Sequence, residues 1–248
     1  MTEIWLLDVG RSGPALAELE RDAARLTPED RRRANSLKDP RDRRERLATL
    51  TALRLLLERL TDPHTARQPF VTGPAGKPAL PGGNIQFSLS HVEGYALIGL
   101  TRSGAIGVDL ERDRPLRLSE RRRAELIAAA KGLAGKSLAG ASPDACFLQA
   151  WCRIEAFAKA VGGGIGRTLA DLGLRSGAPR SPTDIEVTAR RSAHDAGLVV
   201  RDVPLAGGLY AAIALEKAAR LQPQKLPPDH IGLQRLLTAH LPSRRRAG

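Results

Sequence analysis

The chain has 248 residues, with 39 Lys+Arg against 27 Asp+Glu, a formal charge of +12 and two cysteines. That length allows a sizeable core in one large domain or two small ones. The charge favours polyanionic partners: nucleic acid, anionic lipid, a phosphate-rich cofactor or an acidic protein. Cys146 and Cys152, placed on one expected helix, exclude a disulfide framework. No apolar run approaches the roughly 20 residues of a membrane span, and MTEIWLLDVG lacks a basic n-region and a cleavage pattern. The expectation is a protein of the reducing cytoplasm with no membrane partner.

In chain order, EIWLLDV reads as a strand. TPEDRRRANSL then offers Thr27 as N-cap, Pro28 at the first helical position and Asp30 at the third, much like a capping box. Leu47, Leu50, Leu53, Leu57 and Leu60 form the core stripe of the next helix and leave Arg54 beside it. A Pro- and Gly-rich stretch from Thr61 to Gly83 contains GKP. IQFSLS, YALIGL and AIGVDLE follow as three strands joined by the short turns HVEG and TRSG, which predicts an antiparallel sheet. Two helices come next, one capped by Ser119 and ended by Gly132, the other capped by Ser142 with Pro143 in its first turn and ended by Gly162. DIEVTAR, GLVVRDV and LYAAIALE read as strands. GYALIGL and LYAAIAL echo one another, which suits two related α+β halves of ordinary domain size. A linker, a short amphipathic helix and a basic SRRRAG end expected to be disordered close the chain.

Two places concentrate chemistry. Alternation in AIGVDLE sends Ile106, Val108 and Leu110 to one face and Asp109 with Glu111 to the other. The plain reading is a solvated strand end; the functional one is a hard divalent site, since Mg²⁺ commonly takes one or two carboxylates plus substrate phosphates and water. Trp151, Glu155 and Lys159 recur every four residues on one helix face. They form either an ordinary surface ion pair beside a tryptophan or a partly buried carboxylate that needs a partner such as a metal. Ser90 and His91 sit at a strand end, where a lone histidine is more often a packing residue. No nucleophile elbow or Walker lysine loop occurs, and VGGGIG follows a helix instead of preceding one, which disfavours those enzyme classes.

Taken together and in order, LTALR, GKP, FSLSH, IGVDLE and WCRIEAFAKAVGGG resemble the 4′-phosphopantetheinyl transferases, in particular the double-length monomeric type. The resemblance spans roughly residues 1–217 and is specific from Gly76 to Gly164. It implies an α+β fold of two pseudo-symmetric halves, each a small, mostly antiparallel sheet packed with helices, with the active site in the cleft between them. The halves would be residues 1–104 and 105–220, with 221–248 as linker, helix and tail. The implied reaction moves 4′-phosphopantetheine from coenzyme A to a serine of an acidic acyl or peptidyl carrier protein, releasing 3′,5′-ADP. Asp109, Glu111 and Glu155 would hold Mg²⁺, or Mn²⁺, against the coenzyme's pyrophosphate, with Glu155 also a candidate acceptor of the serine proton. Lys159 would reach the phosphates, and Arg54, Gly76, Lys77, Pro78, Ser90 and His91 would line the coenzyme site, with Arg31, Arg32 and Arg33 as looser candidates.

One position departs from the family pattern: Ile154 stands where W-x-x-K-E carries a lysine, on the same face as Phe157 and Val161. This motivates one rival, a silent relative that binds coenzyme A or a carrier protein without transfer. A nucleic-acid-binding protein is the other rival, suggested by the arginine runs but opposed by an aromatic content of 3%.

Overall fold

The structure is a computed structural model that describes residues 1–73, 75–138, 140, 142–175, 180–216 and 222–239. Its elements in chain order are β1 (Thr2–Asp8), α1 (Val9–Asp22), α2 (Pro28–Asn35), α3 (Pro40–Leu60), the single turn α4 (Pro63–Ala66), β2 (Val71–Thr72), β3 (Pro78–Ala79), β4 (Gln86–Val92), β5 (Tyr95–Thr101), β6 (Ile106–Arg112), α5 (Glu120–Ala134), α6 (Pro143–Val161), α7 (Ile165–Asp171), α8 (Pro182–Asp195), β7 (Val199–Asp202), β8 (Leu209–Leu215), β9 (Gln224–Lys225) and α9 (His230–Thr238). This is an α+β fold whose small sheets pack against helices.

The first sheet runs β4-β5-β1-β9, antiparallel except for the short β1–β9 pairing, and the second runs β6-β8-β7, antiparallel throughout. The two echoing segments are β5 and β8, and each is an inner strand of its own sheet. β4 and β5 form the hairpin expected from HVEG, but the third strand of that expected sheet goes elsewhere. Because β1 occupies the other edge of β5, the turn after Thr101 hands the chain to the second sheet, where Asp109 lies opposite Ala212 of β8.

β6 is buried on both faces, and this arrangement builds the site. Ile106, Val108 and Leu110 pack with Ile4 and Leu97 of the first sheet, in a cluster that joins the two sheets. The face bearing Gly107 and Asp109 lies under α6. Gly107 is required for that approach: a Cβ there would collide with the carbonyl oxygen of Ala156 and stand 2.5 Å from the nitrogen of Ala160. Helix and strand therefore meet backbone to backbone. β4 flanks β6 without a ladder; the Val108 N–H donates instead to Ser88 Oγ at 3.0 Å.

Two local expectations are corrected. DIEVTAR is not a strand but the body of α8, because Ser181 caps Asp184 N–H, Pro182 opens the first turn, and Ile185, Ala189 and Ala193 make a buried helical stripe. Gly132 does not end α5, which continues to Ala134 and stops at Gly135 in the left-handed region. Gly132 instead gives α8 a close seat, since a Cβ there would fall 2.8 Å from that of Ala189. The capping box at Thr27 and Asp30 forms as the sequence indicates. At the far end, Leu226 N–H donates to Leu6 O, and Leu226 and Leu233 enter the core under β1, α1 and α3. The SRRRAG end lies outside the described residues.

Candidate active site

α6 carries half of the site. Ser142 accepts the Ala145 N–H at its start, and Gly162 ends it with φ 76°, a conformation glycine adopts without steric cost. Trp151, Glu155 and Lys159 rise from it at four-residue intervals into a cavity of 620 Å³. β6 supplies Asp109 and Glu111 to the same cavity, the end of β4 supplies Ser90 and His91, and the GKP stretch supplies Gly76, Lys77 and Pro78. A larger cavity of 830 Å³ lies along α1 and α3, but the acid–lysine cluster is not in its wall.

At the centre is a three-membered network. Lys159 Nζ donates to Asp109 Oδ1 at 2.6 Å and to Ser90 Oγ at 3.1 Å, and Ser90 Oγ is 2.8 Å from Asp109 Oδ1, to which it donates. Asp109 is only 5% exposed, so it is not the solvated strand end of the plain reading. Its Oδ2 is buried with no hydrogen-bond partner. A buried carboxylate oxygen left open is an invitation to a cation. Oxygen-only donors also suit a hard dication such as Mg²⁺ better than zinc. The side chains nevertheless do not form a finished cage: among the described residues no group of three or more His, Cys, Asp or Glu is gathered to hold a metal. Asp109 together with one neighbouring carboxylate meets the protein's usual share of a Mg²⁺ shell.

Electrostatics tie the remaining carboxylates to this centre. Burial raises the proton affinity of Glu155 above the ordinary glutamate range, and Asp109 and Glu111 add to the effect against the attraction of Lys159. Glu111 is raised too, first by burial, although Arg114 pairs with it at 3.0 Å and opposes the shift. Desolvation first, then the charges of Arg46 and Lys159, hold His91 below the ordinary histidine range. The acid pair has a consequence for stability. A carboxylate whose pKa rises on folding costs stability fully above the raised value, and the cost disappears as pH falls to the unfolded value. Glu155→Gln is therefore expected to raise the Tm of the metal-free protein at neutral pH and to have no such effect below the ordinary glutamate value of 4.5. Thermal melts across pH check this, and an unchanged difference at all pH values would contradict it.

No family model matches the chain. A curated relative does: a Synechocystis sp. protein named "Putative 4′-phosphopantetheinyl transferase" is 34% identical over 170 residues, 66% of this chain. That similarity agrees with the 4′-phosphopantetheinyl transferase pattern carried by the sequence motifs. The matched region spans 65% of that relative's length.

Against the phosphopantetheinyl transferase pattern, one expected coenzyme-lining residue is not where the resemblance puts it. Arg54 is 0% exposed and lies away from the cleft. Its guanidinium meets Asp30 Oδ2 at 2.8 Å, donates to the carbonyls of Ala66 and Gln68, and stacks on Phe70 at 3.7 Å. It joins α2, α3 and the loop after α4 as an internal brace. Arg54→Ala is expected to cost about 3–5 kcal/mol of stability, because Asp30 would be left buried and unpaired; urea unfolding measures it. Ile154 is 0% exposed within the core, so the position that carries lysine in W-x-x-K-E is here a packing position.

Arg46 is the residue the sequence reading missed. It lines the cleft from α3, and the only signal was its place on the polar side of the leucine stripe, shared with several other arginines. Of Arg31, Arg32 and Arg33, none lines this cleft; Arg31 pairs with Glu20, and Arg32 and Arg33 pair with Glu29. Among the described residues no helix is long and apolar enough to cross a membrane.

Proposed function

We propose that this chain transfers the 4′-phosphopantetheine group of coenzyme A to a serine of an apo carrier protein. The observation that carries the reading is the Lys159–Asp109–Ser90 network sharing one cavity with Glu111, Glu155 and His91. An anionic diphosphate needs cations beside it, and a phosphoryl transfer with little covalent chemistry for the protein needs placement and charge neutralisation. Lys159 supplies an ammonium, Arg46 brings a guanidinium to the same wall, and Asp109 with Glu111 or Glu155 would hold Mg²⁺ or Mn²⁺. That ion, when bound, polarises the phosphoryl oxygens and offsets their growing charge.

In the reaction the carrier serine oxygen forms a bond to the β-phosphorus while the bond from that phosphorus to the oxygen of 3′,5′-ADP breaks. Glu155, whose burial raises its proton affinity, is suited to receive the serine proton. Trp151, partly exposed in the cavity wall and stacked with Phe147 at 6.3 Å, gives an apolar surface beside the reacting groups. The positive chain favours an acidic carrier by speeding encounter.

The test mixes the protein with coenzyme A, Mg²⁺ and a panel of apo carriers from fatty-acid, polyketide and nonribosomal-peptide systems, and reads intact mass. One added phosphopantetheine on at least one carrier, absent with EDTA, is the expected result. No adduct on any carrier would reject the reading; tight coenzyme A binding without adduct would favour the silent relative, and steep salt-dependent DNA binding the nucleic-acid reading.

A further inference from the structure

The GKP lysine is not occupied as a phosphate ligand would be. Lys77 Nζ donates to the carbonyl of Ile106, the first residue of β6, at 2.7 Å, and to the carbonyl of Lys159, in the last turn of α6, at 2.8 Å. Lys159 O is among the last four carbonyls of its helix, which have no intrahelical N–H partner. Ile106 O belongs to the strand that β4 flanks without a ladder. One ammonium thus satisfies two backbone acceptors from different elements, and two of its three N–H groups are committed to them. The two carbonyls bracket the site: one precedes Asp109 by three residues on β6, the other belongs to the residue whose ammonium grips Asp109. Gly107, next to Ile106, is the point where α6 presses onto β6.

We propose that Lys77 is a positioning residue, a clamp that fixes the strand of Asp109 and Glu111 against the helix of Glu155 and Lys159. It acts on the reaction through that spacing and not by binding the coenzyme's phosphates. The claim about catalysis rests on the transfer reading above; the claim about the clamp does not. A misplacement of reacting groups by about 1 Å costs on the order of 10²-fold in rate, whereas loss of a phosphate contact raises Kd or KM.

Lys77→Met keeps the length of the side chain and removes every donor. The expected results are faster amide hydrogen exchange in residues 106–111 and 157–164, a kcat lowered about tenfold or more, and a Kd for coenzyme A, by calorimetry, within about twofold of wild type. Unchanged exchange with a Kd raised about tenfold would overturn the proposal. Should Lys77→Met not fold, Lys77→Gln, which retains N–H donors without charge, is read by the same pair of measurements: retained Kd supports the clamp, and a raised Kd with native exchange overturns it. Lys77→Arg, which keeps both donors and charge, restores the exchange protection. If the wild-type protein modifies no carrier, the exchange comparison still decides the clamp while the transfer reading fails alone.

Discussion

Asp109→Ala is expected to lower phosphopantetheine transfer by about 10²–10³-fold, the scale seen when one preorganised charge-stabilising group is removed. Asp109 both holds the Lys159 ammonium at 2.6 Å and keeps a buried oxygen without a hydrogen-bond partner. Its removal frees Lys159 to rotate toward solvent, where nearly a third of that side chain already lies. The two residues act as a unit, so the double variant Asp109→Ala/Lys159→Ala should be little slower than either single variant. Asp109→Asn preserves shape and can still offer its carbonyl oxygen to the ammonium, but it loses the negative charge and replaces the second oxygen with an NH2 that cannot hold a cation, so a large loss is expected here too. The measurements are kcat by carrier mass shift and a thermal melt to show that each variant is folded. Full activity in Asp109→Ala would remove the assignment, and strictly multiplicative losses would remove the coupling.

Gly107→Ala is expected to be nearly as damaging although it adds one methyl group and alters no charge. The added carbon would meet backbone of α6, at Ala156 and Ala160, instead of a side chain that can turn aside. Helix and strand must then separate, at a stability cost of about 1–3 kcal/mol for an overpacked contact. The separation also moves Glu155 and Lys159 away from Asp109, with a rate loss on the order of 10²-fold. Denaturant unfolding and kcat measure the two effects. A variant that is destabilised yet turns over normally would show that the helix–strand spacing is not what sets the rate.

Period decided what could be read from the sequence. Residues 151, 155 and 159 recur at the helical period, and a capping serine, a proline and a terminal glycine bound that helix, so its shared face was visible before its neighbours were. The alternation in residues 106–111 likewise separates Asp109 and Glu111 from the apolar face. What the local pattern lacks is tertiary. TRSG has the length of a hairpin turn, and nothing local reveals that β1 already holds the edge beside it. Ile, Val and Thr in DIEVTAR favour a strand by propensity, and the helix prevails through Ser181, Pro182 and packing on α5. Arg54 reads as a residue beside the leucine stripe, free to line a coenzyme site, until Asp30 is seen to be buried beside it. Lys77 has the motif of an anion ligand, and only the fold shows two carbonyls converging on it.

β9 pairs with β1, and α9 covers α1 and α3, so the last described segment closes over the first. During synthesis the opening sheet must therefore wait, with its β1 edge and part of its apolar core uncovered, until the whole β6-to-β8 region has been made. Such long-range closure slows folding and leaves a nascent chain vulnerable to aggregation. Removal of residues from 222 onward would make that exposure permanent, giving a poorly soluble product even though every catalytic candidate remains in the shortened chain.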